Sequence, residues 1–302
     1  MDDSDDSDFY GSPKTISKLK SRVATYNTAS YFASQPSRTK LITSRITPSP
    51  SSSSPPPSGR LHNPYSSIPH SAYQLTESIP QFLTRLPPST TTGPEWIFIA
   101  NPYLPPKPPP STSRFLTGGL SRLALFSSFI TGTTSAHPNS PLVAKRHIAV
   151  ARKETIADLK QLAVEHRNIS GKWMLFPEVA FVNETWERVA KAVANNQLGT
   201  AAKVATKLPP GFDDGHSEKN TRLICIYTED FTNKDDVARV LKRMKELDLV
   251  KQGPGARLIY YKADAWTELG IYGENEWGIK ASMYNSKEIF EYIKEEAEKK
   301  TF

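Results

Sequence analysis

The chain has 302 residues, 38 Lys and Arg against 31 Asp and Glu, a formal net charge of +7, and one cysteine, Cys225. A single cysteine excludes an intramolecular disulfide and a CxxC-type metal cluster. The most apolar window, 115–130, carries Arg122 and two glycines and falls short of the ~20 residues that span a bilayer. With no apolar leader at the N-terminus, the expected compartment is cytoplasm or nucleus, with no membrane partner. Pro and Ser crowd the first part of the chain, around Ser49-Pro50-Ser51-Ser52-Ser53-Ser54-Pro55-Pro56-Pro57. That composition buries too little apolar surface to offset ordering entropy, so residues 1–74 are expected to be a disordered basic tail. Residues 1–8 hold five acids (Asp2, Asp3, Asp5, Asp6, Asp8) and residues 9–75 hold eight bases and no acid, a tail charge of 8 − 5 = +3. Thr47-Pro48, Ser49-Pro50 and Ser54-Pro55 are candidate proline-directed phosphorylation sites.

Residues 75–302 are expected to form one domain. Its first helix carries Ile79, Phe82, Leu83 and Leu86 at helical spacing and stops at Pro87-Pro88. Trp96-Ile97-Phe98-Ile99 reads as a buried strand, followed by a Pro-rich loop insertion at about 102–141. That loop contains Pro105-Pro106-Lys107-Pro108-Pro109-Pro110, whose PxxP frames suit an SH3- or WW-type partner. Ile156, Leu159, Leu162 and Ala163 place an apolar stripe on a helix from Glu154, with His166 and Arg167 complementing its C-terminal dipole. Lys172 to Phe176 is a strand, and Asn183 caps a helix presenting Trp186, Val189, Ala190 and Val193. In the next strand Val204 and Leu208 share one face and Lys203 and Lys207 the other, the lysines about 6–7 Å apart. Arg222 to Tyr227 is an inner strand with Cys225 buried in it. A helix capped by Asn233 follows, then a strand from Arg257 to Lys262, the Trp266-to-Trp277 segment, a short strand over 281–284 and a last amphipathic helix. Strands that succeed one another through short turns give an α+β class with a mainly antiparallel sheet.

Gly171-Lys172-Trp173-Met174-Leu175-Phe176, Gly199-Thr200-Ala201-Ala202-Lys203-Val204, Ile224-Cys225-Ile226-Tyr227-Thr228 and the run from Tyr261 to Tyr272 closely resemble the basophilic leukaemia-expressed protein family, a group of eukaryotic proteins of uncharacterised function. The resemblance covers about residues 96–290. It implies a fold similar to the cap-binding translation initiation factor 4E, a curved antiparallel sheet with helices on the convex face. On that likeness Gly171-Lys172-Trp173 corresponds to a Gly-Arg-Trp strand start, Trp186 to a helical Trp, and Tyr227 to an aromatic near the cap methyl group. The two tryptophans that sandwich a methylated guanine have no counterparts here, and Ala205 stands where a phosphate-binding Arg is expected.

The six histidines (His62, His70, His137, His147, His166, His216) stand at no spacing that pairs them with a nucleophile or a second metal ligand. No enzyme activity and no cofactor is expected. Two functions of different class fit the residues. One is an RNA- or nucleotide-binding module on the hollow face of the sheet. There Lys172, Lys203, Lys207 and Arg222 or Arg257 would meet phosphates and Tyr227 or Trp266 would stack a base, while the Trp266-to-Trp277 segment with Glu268 offers ring faces and acceptors as a candidate surface site. The other is a protein-interaction adaptor that uses the tail and the PxxP loop.

Overall fold

A computed structural model describes the backbone of Ile42–Ser44 and all of residues 61–207 and 220–299. The rest of the expected tail with its phosphorylation sites, Leu208 and His216 lie outside the described residues. The described chain runs β1 (Ile42–Ser44), β2 (Leu61–Asn63), α1 (Ile79–Arg85), β3 (Trp96–Ala100), α2 (Thr112–Ala136), α3 (Pro141–Glu165), β4 (Gly171–Leu175), α4 (Val182–Ala194), β5 (Ala201–Ala205), β6 (Ile224–Thr228), α5 (Lys234–Glu246), β7 (Tyr260–Ala263), α6 (Asp264–Glu268), β8 (Tyr284–Asn285) and α7 (Ser286–Lys299). In place of the single domain expected over 75–302 there are two compact units. One contains Pro110–Ser170 and Lys262–Met283; the other holds the described residues before Pro110, Gly171–Tyr261 and those from Tyr284 on.

The second unit is built on a six-stranded sheet of order β3-β5-β6-β4-β7-β8. β3 with β5, β5 with β6, β6 with β4 and β7 with β8 pair antiparallel, which places the fold in the expected α+β class. Strand alternation sends Ile97, Ile99, Ala202, Val204, Ile224, Ile226 and Trp173 to one face. There α4 packs on β3 and β5 and α5 on β6. Trp173 is fully buried, stacks edge-on to Tyr261 at 5.3 Å and donates its indole N–H to Val237 O at 3.2 Å. α1 starts at a capping box, the Ser78 hydroxyl accepting from Gln81 N–H while the Gln81 side chain accepts from Ser78 N–H. α5 starts at Asn233, which accepts from Asp236 N–H. Asn183 is not the cap of α4; Phe181 occupies that position. Asn183 reaches instead to Ser89, accepting from its N–H at 3.0 Å and donating to its hydroxyl at 2.8 Å.

Gly199 marks a close approach that only a hydrogen side chain allows. A Cβ there would lie 2.2 Å from the carbonyl oxygen of Tyr227, which also accepts from Thr200 N–H. Backbone inside a strand has little room to give, so Gly199→Ala is expected to lower stability by about 1–3 kcal/mol. A urea titration checks this; an unchanged midpoint would mean that the strand ends shift freely.

The first unit corrects the expected loop at 102–141. From Thr112 the chain is a 25-residue helix, α2, followed by a second helix of 25 residues, α3, that begins at Pro141. Phe115, Leu116, Gly119, Leu123 and Phe126 form the buried stripe of α2. Ser and Thr, normally weak helix formers, return their hydroxyl protons to carbonyls four residues back: Thr117 to Ser113, Ser121 to Thr117, Ser127 to Leu123 and Thr131 to Ser127. No helix among the described residues is long and apolar enough to cross a membrane. His166 is the C-cap of α3, as its position near a helix end implied.

The expected tail also ends earlier than residue 74. Residues 71–73 run beside the free edge of β3, with Phe98 N–H donating to Ser71 O (2.8 Å) and Tyr73 N–H to Phe98 O (2.9 Å). Asn63 closes this segment on itself, accepting from Tyr65 N–H and donating to Tyr73 O and Gln74 Oε1. Arg85 donates to the carbonyls of Pro69 and Ala72. Leu61, Tyr65, Ala72 and Tyr73 are buried, and burial, then Glu77 and Tyr103, raise the Tyr73 phenol above its usual pKa.

Candidate functional site

Among the described residues of this unit, no helix packs on the sheet's other face. Register places Trp96, Phe98 and Ala100 of β3 beside Ala205, Lys203 and Ala201 of β5, then Cys225 and Tyr227 of β6, then Met174 and Lys172 of β4. Tyr65, Ala72, Phe98, Ala100, Ala201, Cys225 and Tyr227 form one buried cluster there, with Ile68, Trp96 and Leu223 packed against it. The Tyr65 ring tilts onto Phe98 at 5.2 Å. The middle of this face is therefore filled by the protein's own residues 65–72 rather than hollow. Cys225 lies inside that cluster at 1% exposure, so the expected burial of its thiol holds.

Two lysines border the cluster, each against an aromatic ring. The Lys203 ammonium lies 4.0 Å from the Trp96 ring centroid and the Lys172 ammonium 5.9 Å from that of Tyr227. Such contacts contribute about 0.5–1 kcal/mol where exposed and about 2 or more where desolvated. Lys172 and Tyr227 are both buried, whereas Trp96 and Lys203 are half-buried. The Trp96 and Lys203 end of the face thus reaches solvent. A half-exposed ring with a cation over one face can stack a base on its other face and bring a phosphate to the cation.

The remaining predicted site residues do not join this face. β5 stops at Ala205 because Thr206 turns to the β3 side, its N–H bonded to Glu95 O and its hydroxyl to Pro94 O. Lys207 is bonded through its N–H to Thr91 O and is exposed beyond the strand, so it does not share Lys203's strand face. Arg222 precedes β6, bonded through its N–H to Pro177 O, and its Nε is buried with no partner among the described residues. Arg257 is exposed ahead of β7, which starts at Tyr260 and not at Arg257. The last strand likewise falls later than 281–284, at Tyr284–Asn285.

Trp266, Glu268 and Trp277 belong to the other unit, where Trp266 and Glu268 are buried and Trp277 is half-buried. Trp266 is 2% exposed inside α6, and buried Glu268 accepts from Asn168 Nδ2. Trp277 pins its loop to the long helices, donating from its indole to Ser127 Oγ at 2.8 Å and accepting from Arg152 Nε at 2.8 Å. Lys262, which sequence reasoning did not single out, is buried in that unit with its ammonium 4.0 Å from the Tyr272 ring centroid. Trp96 and residues 61–73 are the other omissions. The signal for the latter was present in Tyr65, Ile68 and Tyr73, apolar residues that resume where the Ser run ends.

Residues 105–110 are exposed throughout, and Lys107 among them forms an ion pair with Glu229 just after β6. Among the described residues no group of three or more His, Cys, Asp or Glu side chains could hold a metal ion. The strands and glycines that build the face, from Trp96 through Gly171-Lys172-Trp173 and Gly199 to Tyr227, lie inside residues 19–270, which match the family model described as basophilic leukemia-expressed protein Bles03. With most of its length covered by that match, the chain belongs to the Bles03 family.

Proposed function

We propose that the protein is a non-enzymatic, cofactor-free binder of single-stranded RNA or nucleotides, acting in the cytoplasm or nucleus. The observation that carries this reading is the half-exposed Trp96 ring with the Lys203 ammonium 4.0 Å from its centroid, on the sheet face opposite α4 and α5. A base stacked on Trp96 leaves its phosphate within reach of Lys203, and stacking of this kind contributes about 1–3 kcal/mol per base. We take the sheet as translation initiation factor 4E-like, with its centre closed by residues 65–72. The paired tryptophans that recognise a methylated guanine are missing, so a cap analogue is expected to bind within about twofold of unmethylated guanosine nucleotide.

Fluorescence anisotropy with a labelled single-stranded RNA in low salt tests the proposal. Trp96→Ala is expected to weaken binding about tenfold or more. Lys203→Ala should lower the slope of log affinity against log salt by about one. Failure of the wild type to bind either RNA or nucleotide would overturn the reading. Weight would then move to an adaptor role, which the exposure of residues 105–110 favours because a PxxP segment must be open to enter an aromatic groove.

A further inference from the structure

Seven of the nine large apolar side chains that stand exposed among the described residues lie on α2 and α3: Leu120, Leu125, Phe129, Leu142, Val143, Val150 and Val164. On α3 they belong to a pattern. Leu142, Arg146, Val150, Lys153, Ala157, Lys160 and Val164 follow at steps of three or four residues and therefore share one side of the helix. All seven are exposed. Aliphatic and basic residues alternate along this seam, which is about 33 Å long at 1.5 Å per residue. The acids of α3, Glu154, Asp158 and Glu165, fall on a neighbouring stripe. Arg146, Lys153 and Lys160 make no ion pair among the described residues.

A solvated helix face carries polar residues of mixed sign, and an α2–α3 packing face is buried; this seam is neither. Its alternation fits a chain segment that brings carboxylates and a few apolar groups together. A second copy of the same seam would set base against base. The protein carries a matching segment at Asp2, Asp3, Asp5, Asp6 and Asp8 followed by Phe9 and Tyr10, with five acids and no base among residues 1–10. Residues 11–41, the chain between that segment and β1, extend to at most about 100 Å. That reach is about three times the length of the seam. The geometry points to residues 1–10 docking in cis on the α3 seam, carboxylates on Arg146, Lys153 and Lys160 and the Phe9-Tyr10 pair on the aliphatic positions.

Because Cys225 is buried, one engineered cysteine reports on the seam. Val150→Cys in the full chain is labelled with an uncharged maleimide, alongside Lys251→Cys as an exposed control on the other unit. Replacing the five aspartates by asparagine is expected to speed labelling at position 150 about fivefold, the protection given by a segment docked about four-fifths of the time, and to leave position 251 unchanged. A peptide of residues 1–10 added to the asparagine variant should restore protection, and the same peptide with asparagines should not. Equal rates at position 150 with and without the aspartates would overturn the proposal, as would an equal rise at both positions. Protection that strengthens with protein concentration would place the segment on a second copy and overturn docking in cis.

Discussion

A chain begun at Leu75 is expected to react with a thiol reagent at Cys225 in native buffer, whereas the chain that keeps residues 61–74 reacts only on unfolding. Cys225 sits in the cluster roofed by Tyr65, Ile68 and Ala72, on the sheet face opposite α4 and α5. Removing the segment uncovers Phe98 and Tyr227, leaves Phe98 N–H and O without their partners at Ser71 and Tyr73, and strips Arg85 of two carbonyl acceptors. Burial of Leu61, Tyr65 and Tyr73 alone is worth about 1.5–3 kcal/mol each, so the truncated chain should also unfold at markedly lower urea. Circular dichroism at the labelling condition verifies that the sheet persists. Equally slow labelling of both chains would mean that residues 61–74 do not cover the thiol. Limited proteolysis should correspondingly leave a fragment that begins near residue 61 and not near 75.

Trp173→Ala carries the largest expected loss for a single residue, about 3–5 kcal/mol. The side chain has no exposure, contacts Tyr261 edge-on and holds Val237 O from β4, tying the sheet to α5. Alanine leaves a large cavity at the joint of strand and helix. The melting temperature should fall by roughly 2–4 °C per kcal/mol for a chain of this size. Trp173→Phe separates the terms, since it keeps most of the ring and removes the indole donor, and should cost about 1 kcal/mol beyond its volume change. A loss below about 1 kcal/mol for the alanine variant would contradict the placement of Trp173 at the centre of the core.

Elements that bury two faces or one clear stripe were legible in the sequence. Ile224-Cys225-Ile226-Tyr227 is apolar throughout because β6 lies between β5 and β4 with both faces covered. The stripes of Trp186, Val189 and Val193 and of Val237, Val240 and Leu241 gave α4 and α5. α2 was hidden because Ser, Thr and Gly recur along it, which mark loops by propensity, and its hydroxyls satisfy themselves on the helix backbone. Residues 61–73 were masked by the Pro and Ser run before them, since composition averages over a window and misses a few buried aromatics at its end.

The site was legible only in part, for geometric reasons. Period-two alternation assumes that a strand continues, and β5 ends at Ala205, which separates Lys207 from Lys203. Trp266 and Glu268 look like a binding pair in sequence but face the core of a short helix, where Asn168 satisfies the carboxylate. The partner of Lys203 comes from β3, about a hundred residues away. Only the register Phe98 opposite Lys203 brings Trp96 under the ammonium.

The central claim, that the Trp96 and Lys203 end of the sheet face opposite α4 and α5 holds single-stranded nucleic acid, is tested most directly by photo-crosslinking. A 4-thiouridine-bearing single-stranded RNA is bound in low salt, irradiated, digested and mapped by mass spectrometry. Crosslinks are expected on the peptides that contain Trp96 and Lys203, lost in Trp96→Ala and reduced by competing nucleotide. Crosslinks confined to other surfaces, such as the basic seam of α3, or none above an unrelated basic protein, would contradict it.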